Sequence, residues 1–97
     1  MYFVITALDR PGSIDLRLKT RDAHREYLHG EHAQIQLKLA GPLLAEDGKT
    51  MIGSLIVVEA ADRETVEAFS ASDPYRKADL FSSVSVLQWQ WNTGRPD

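Results

Sequence analysis

His24 and Asp73 are the two side chains whose types could move a proton as a pair. An imidazole changes charge near neutral pH, which suits it to act as general acid or base. A carboxylate bonded to one ring nitrogen orients the ring for that work. Each residue also has a plainer reading. His24 shares a helix face with Leu28, where a core histidine bonded to backbone or water is equally at home. Asp73 precedes Pro74 and can cap a helical turn. Cap and partner are compatible, because a carboxylate that caps with one oxygen keeps the other for an imidazole.

Arg17 and Arg21 are the candidate anion clamp, since a guanidinium binds a carboxylate or phosphate through two parallel N–H bonds. Arg21 and His24 are three apart and therefore neighbours on a helix; a solvated helix face is the competing role for both arginines. His29 and His32 flank Glu31 at a spacing that a metal could use, but no second cluster supplies further ligands, so they read better as surface polar residues. Ser54 follows Gly53 in an apolar run with no nucleophile elbow around it. Glu46-Asp47 lies in a turn, and no glycine-rich loop is present to cradle a phosphate.

Six elements must position these residues. Residues 2–8 are β-branched and aromatic and predict a first strand, closed by the turn Asp9-Arg10-Pro11-Gly12. A helical region follows, in two pieces: Ser13 caps one through Leu18, and Thr20 caps another that carries His24, Tyr27, Leu28 and Glu31 on one face and frays at Gly30. Residues 34–44 predict the second strand, with Ile35, Leu37 and Leu39 alternating against Gln36, Lys38 and Ala40. Pro42 places that strand at an edge or a bulge. Asp47-Gly48 predicts a hairpin turn into a third strand over residues 51–59. Asp62 caps a second helix to about Ala71, with Val66 and Phe69 inward. Pro74 opens a short further turn to Ala78. Residues 82–91 predict the last strand, and residues 92–97 a polar tail.

The order is β-α-β-β-α-β, an α+β ferredoxin-like unit with an antiparallel four-stranded sheet and two main helices on one face. At 97 residues the chain predicts one domain, 1–97. Two helices cover one face only, yet the first, third and fourth strands are apolar on both. The remedy expected is a second copy packed sheet to sheet, a homodimer with two-fold symmetry.

Composition narrows the partners. The 11 basic residues are scattered and the net charge is −3, which argues against nucleic acid. No apolar run approaches the ~18 residues of a membrane helix. With no cysteine, thiolate zinc sites, disulfides and cysteine nucleophiles are excluded, and a cytoplasmic location is the default expectation.

Taken in order, the motifs resemble those of the YCII-related (YciI-like) family of the dimeric α/β-barrel superfamily. The resemblance spans Phe3 to about Trp91. It rests on Asp9-Arg10-Pro11-Gly12, on the segment from Arg17 to Leu28, which looks like an Arg-x-x-His-x-x-Tyr-Leu helix, and on Ala40-Gly41-Pro42-Leu43, Gly53-Ser54-Leu55 and Asp73-Pro74-Tyr75. The polar stretch 29–36 departs from the family pattern. The resemblance implies a sheet-to-sheet dimer and an active site built on His24 and Asp73. It adds Tyr75 and Ser54 to Arg17 and Arg21 as candidates for substrate binding. One branch of the family is similar to muconolactone isomerases and eliminates chloride from a chlorinated muconate; other members sit beside regulatory proteins. The expectations are therefore a lyase- or isomerase-like enzyme acting on a small organic acid with no cofactor and no metal or, alternatively, a non-catalytic binding or regulatory module using the same pocket.

Overall fold

A computed structural model describes residues 1–96. Asp97, the end of the expected polar tail, lies outside the described residues. The elements run β1 (Tyr2–Asp9), α1 (Ile14–His29), β2 (Gln36–Leu44), β3 (Met51–Glu59), α2 (Arg63–Ala71), α3 (Pro74–Lys77) and β4 (Phe81–Trp89). The four strands form one antiparallel sheet in the order β2-β3-β1-β4. This is the expected ferredoxin-like α+β fold.

Strand alternation divides the sheet into two faces. Phe3, Ile5 and Ala7 of β1 lie opposite Val58, Ile56 and Ser54 of β3. The apolar members of that set form the core with Leu28 of α1 and with Val66 and Phe69 of α2. Tyr2, Val4 and Thr6 point the other way, beside Leu55, Val57, Leu87 and Trp89. Among the described residues Trp91 packs over the Tyr2–Trp89 end of that side, while no helix covers the rest of it: Leu87 is 62% exposed and Leu39 46%.

The helical region differs from expectation. It is one continuous helix, and Thr20 lies within it. Ser13 occupies the N-cap position without a side-chain bond. In α2 the expected cap forms: Asp62 accepts from the Thr65 N–H at 2.8 Å.

Strand β2 also differs. Its pairing with β3 slips between Leu37 and Leu39, an irregularity that turns Leu39 onto the uncovered face opposite Val57 while Leu37 stays over the core opposite Val58. A one-residue slip inverts every later side chain, so simple alternation fails there. Pro42 sits where its missing N–H is tolerated, on the edge strand. The hairpin turn is closed by Asp47, whose carboxylate accepts from the Lys49 and Thr50 N–H groups and the Thr50 hydroxyl, with Gly48 at φ +70°. Beyond β4, the Trp91 ring stacks on Trp89 and meets the edge of Tyr2, and its Nε1–H donates to the Thr93 carbonyl.

Two local features bring the site together. At Gly53 a Cβ would collide with the Ala7 carbonyl, so only glycine lets β1 and β3 lie this close with Ser54 beside it. Arg10, just past β1, donates to both the carbonyl and the carboxylate of Asp79, and its backbone N–H bonds the Leu80 carbonyl. The end of β1 is thereby tied to the loop after α3.

Candidate active site

Helix α1 lies across the Ser54 end of the sheet and packs beside α3. Its inward stripe is mixed: Arg17 and His24 are buried along with the core residue Leu28. Polar groups persist inside a protein only when paired or hydrogen-bonded, and Arg17 and His24 each have a carboxylate partner.

His24 Nδ1 lies 2.8 Å from Asp73 Oδ1. A carboxylate accepts only, so Nδ1 donates, and in the neutral ring the lone pair then lies on Nε2, which has no hydrogen bond to the described residues. The same Asp73 Oδ1 accepts the Tyr75 N–H at 2.9 Å and caps α3. The expected division between the two carboxylate oxygens is therefore replaced by one oxygen doing both. The Tyr75 ring stacks on the imidazole at 3.9 Å between centroids and 18° between planes.

Arg17 is held by Asp9 through two bonds, Nε to Oδ2 at 2.7 Å and Nη2 to Oδ1 at 2.9 Å. Its Nη2 also donates to the Ser54 hydroxyl at 2.8 Å. Its guanidinium lies 4.7 Å from the centre of the Tyr75 ring, a cation–π distance. Burial disfavours the Arg17 charge, but the bonds and charge of Asp9 more than offset this, and its pKa stands above the ordinary guanidinium value. Burial likewise pushes the Tyr75 phenol up; Arg17 and Arg21 pull it back and Asp73 and Asp9 reinforce it. Tyr75 is thus a neutral ring between a charged guanidinium and an imidazole.

Arg17, Arg21, His24, Ser54 and Tyr75 all border one cavity of about 160 Å³, closed on the far side by Ala40, Gly41 and Pro42 of β2 and by Met51. That volume is close to the ~150 Å³ that takes up a benzene ring. Arg21 differs from Arg17 in having a buried Nε with no acceptor. A larger, shallower depression of about 670 Å³ lies at the opposite end of β1 around Tyr2, Trp89 and Trp91, away from every candidate residue.

The six candidates named from sequence therefore come together, with Asp73 behind His24. Asp9 was not among them. It read as the start of a turn, whereas it closes β1 and faces the first turns of α1. The signal available was an acidic residue at a strand end, followed by an arginine one turn into the next helix. His32 also differs from expectation: it is half-buried, its rings meet Tyr27 and Phe69 edge-on, and its Nε2 donates to the Tyr27 carbonyl at 2.7 Å. Among the described residues no group of three or more His, Cys, Asp or Glu could hold a metal ion.

The sequence pattern of the YCII-related domain matches residues 1–90. A protein named YciI from Escherichia coli O6:H1 is 34% identical over 91 residues, covering 89% of this chain and 93% of that protein. An uncharacterized protein of Haemophilus influenzae is 31% identical over the same shares of the two chains. Among solved structures, the 5-chloro-2-hydroxyhydroquinone dehydrochlorinase of Burkholderia phenoliruptrix AC1100, in complex with 2,5-dihydroxybenzoquinone, superposes with a TM-score of 0.81 at 34% identity, covering 95% of this chain and 96% of that one. An antibiotic biosynthesis monooxygenase shares the fold at 15% identity, with a TM-score of 0.58 and coverage of 95% and 99%.

Proposed function

The chain belongs to the YCII-related domain family, and from that premise we propose that it is a small cofactor-independent enzyme of lyase or isomerase type, in which His24 and Asp73 transfer a proton to or from a small organic acid. The observation that carries this reading is the 2.8 Å His24–Asp73 bond at the wall of a ring-sized cavity lined by arginines. With Nδ1 committed to Asp73, Nε2 is the base. In an elimination it takes the substrate proton, the electron pair so released forms the new double bond, and chloride departs with the electrons of its bond to carbon. Arg21 holds the substrate's anionic oxygen. The Ser54 oxygen accepts from Arg17, so its own proton is free to donate to a substrate oxygen. The likeness to a dehydrochlorinase over nearly the full length supports the same class of chemistry.

A non-catalytic binding module is the second reading. It is favoured by the low exposure of His24, 8%, which suits holding a ligand as well as turning it over. Chloride release from 5-chloro-2-hydroxyhydroquinone and from chlorinated muconates, followed with a chloride electrode, decides between the two. Release by the wild type and none by His24→Ala is expected. Tight binding of these compounds with no release from any of them would replace the enzyme by the binding module.

We also infer that a second copy covers the apolar sheet face, which holds Val4, Val57, Leu87 and Trp89. Sedimentation should give a dimer; a stable monomer at micromolar concentration would sink that inference. No helix among the described residues is long and apolar enough to cross a membrane, and with no cysteine in the chain we place its work in the cytoplasm.

A further inference from the structure

Helix α1 lines the cavity with more positive charge than the proton-transfer chemistry uses. Arg17, Arg21, Arg25 and His29 fall at every fourth position and form one stripe along the helix. All four border the cavity, and no Asp or Glu does, although the whole chain has 14 acidic residues against 11 basic ones.

The arginines are not equivalent. The charge of Arg17 is matched by Asp9. Arg21 and Arg25 have no carboxylate within ion-pair distance among the described residues. The Arg21 Nε is a buried donor with nothing to donate to. An unpaired buried donor on a charged group is costly, and a native fold that keeps one usually owes it an acceptor from outside the chain. Arg25 is exposed, one turn further along the stripe.

We propose that the pocket binds a small dianion, with one anionic group on Arg21 at the buried side and the second on Arg25 nearer the mouth, while Arg17 is a positioning residue that does not carry substrate charge. This rests on the reading of the site as an organic-acid pocket and narrows it. One helical turn separates the two guanidinium stems by about 6 Å along the axis. The two negative groups therefore belong on opposite sides of a single ring or at opposite ends of a short dicarboxylate.

Titration calorimetry with three probes tests this: 2,5-dihydroxybenzoquinone as its dianion, benzoate as a monoanion and hydroquinone as a neutral ring. The dianion should bind at least tenfold more tightly than benzoate, and hydroquinone least. Arg21→Gln should weaken the dianion by about 10- to 100-fold, and Arg25→Gln by about two- to fivefold, as an exposed charge does. Neither should alter hydroquinone. Arg21→Lys, which keeps the charge and packs a similar stem, should recover part of the loss. Should Arg21→Gln not fold, Arg25→Gln carries the decision, since it must weaken the dianion more than the monoanion. Equal affinity for dianion and neutral ring, or unchanged dianion binding in both glutamine variants, would overturn the proposal. Binding is measured at equilibrium and in His24→Ala, so it is separable from turnover. Charge-selective binding without turnover removes the enzyme and keeps the dianion, whereas turnover without charge selectivity does the reverse.

Discussion

His24, within α1, and His32, in the loop just after it, look alike in outline. Each is at least half-buried, each meets an aromatic ring, and each commits one ring nitrogen to a protein oxygen. They differ in the partner and in what lies beyond. His24 is held by a carboxylate and borders a cavity among arginines. His32 is held by the Tyr27 carbonyl and packs against Tyr27 and Phe69 at the edge of the core. A carbonyl fixes a ring, whereas a carboxylate fixes it and also stabilises the charge that forms when the ring takes a proton. What sets His24 apart is its partner and its access, and the residue type alone provides neither.

Substituting each histidine should separate the two roles most sharply. His24→Gln is expected to cut turnover by about 10²–10⁴-fold, the usual worth of a positioned acid or base, with little change in Tm. Steady-state kinetics beside a melting curve checks both. Asp73→Asn keeps an oxygen for the Tyr75 N–H but no longer offers a carboxylate to Nδ1. It should lose a smaller factor, roughly 100-fold at the low end of the same range. Full activity in Asp73→Asn would make the two histidines equivalent after all. His32→Ala should do the opposite, leaving turnover intact and costing about 1–2 kcal/mol in a urea titration through the lost bond and ring contacts.

The smallest effect lies outside the comparison and calibrates it. The Asp62 carboxyl is held below the ordinary carboxylate range by the Thr65 side chain and backbone N–H. A folded-state pKa below the unfolded one gives stability that is present above about pH 4 and lost as pH falls through the folded value. Asp62→Ala should therefore melt slightly below the wild type at neutral pH, and the gap should close on acidification. A gap that persists in acid would show that the cap acts through something other than its charge.

Much of this was legible in the sequence because it depends on local pattern. The period-2 runs of β1 and β3 give the faces that the sheet adopts, and Asp62 before Val66 and Phe69, three apart, gives α2. The candidate residues that border the cavity are legible as types at particular spacings. The His24–Asp73 pairing is readable from the residue types, whereas the links through Arg17 are not, because Asp9 and Arg17 meet across a turn and Arg17 meets Ser54 from helix to sheet, and no periodicity encodes such distances. The break in β2 escaped for a related reason: Leu37-Lys38-Leu39 reads as perfect alternation, and only the pairing with Val58 and Val57 shows the slip. Thr20 looked like a cap because its side chain can serve as one, yet residues 14–29 continue as helix through it. Polarity alone predicts a surface position for His32, whereas its packing depends on Phe69, 37 positions away.

One oxygen of Asp73 both caps the four-residue helix α3 and holds the His24 ring. Ring orientation and local unfolding of that turn are therefore a single equilibrium observed from two sides. The Tyr75 amide proton is its natural reporter. Hydrogen exchange at that amide should slow when a ligand steadies the imidazole and quicken in His24→Gln, so occupancy of the pocket can be followed without a substrate being turned over.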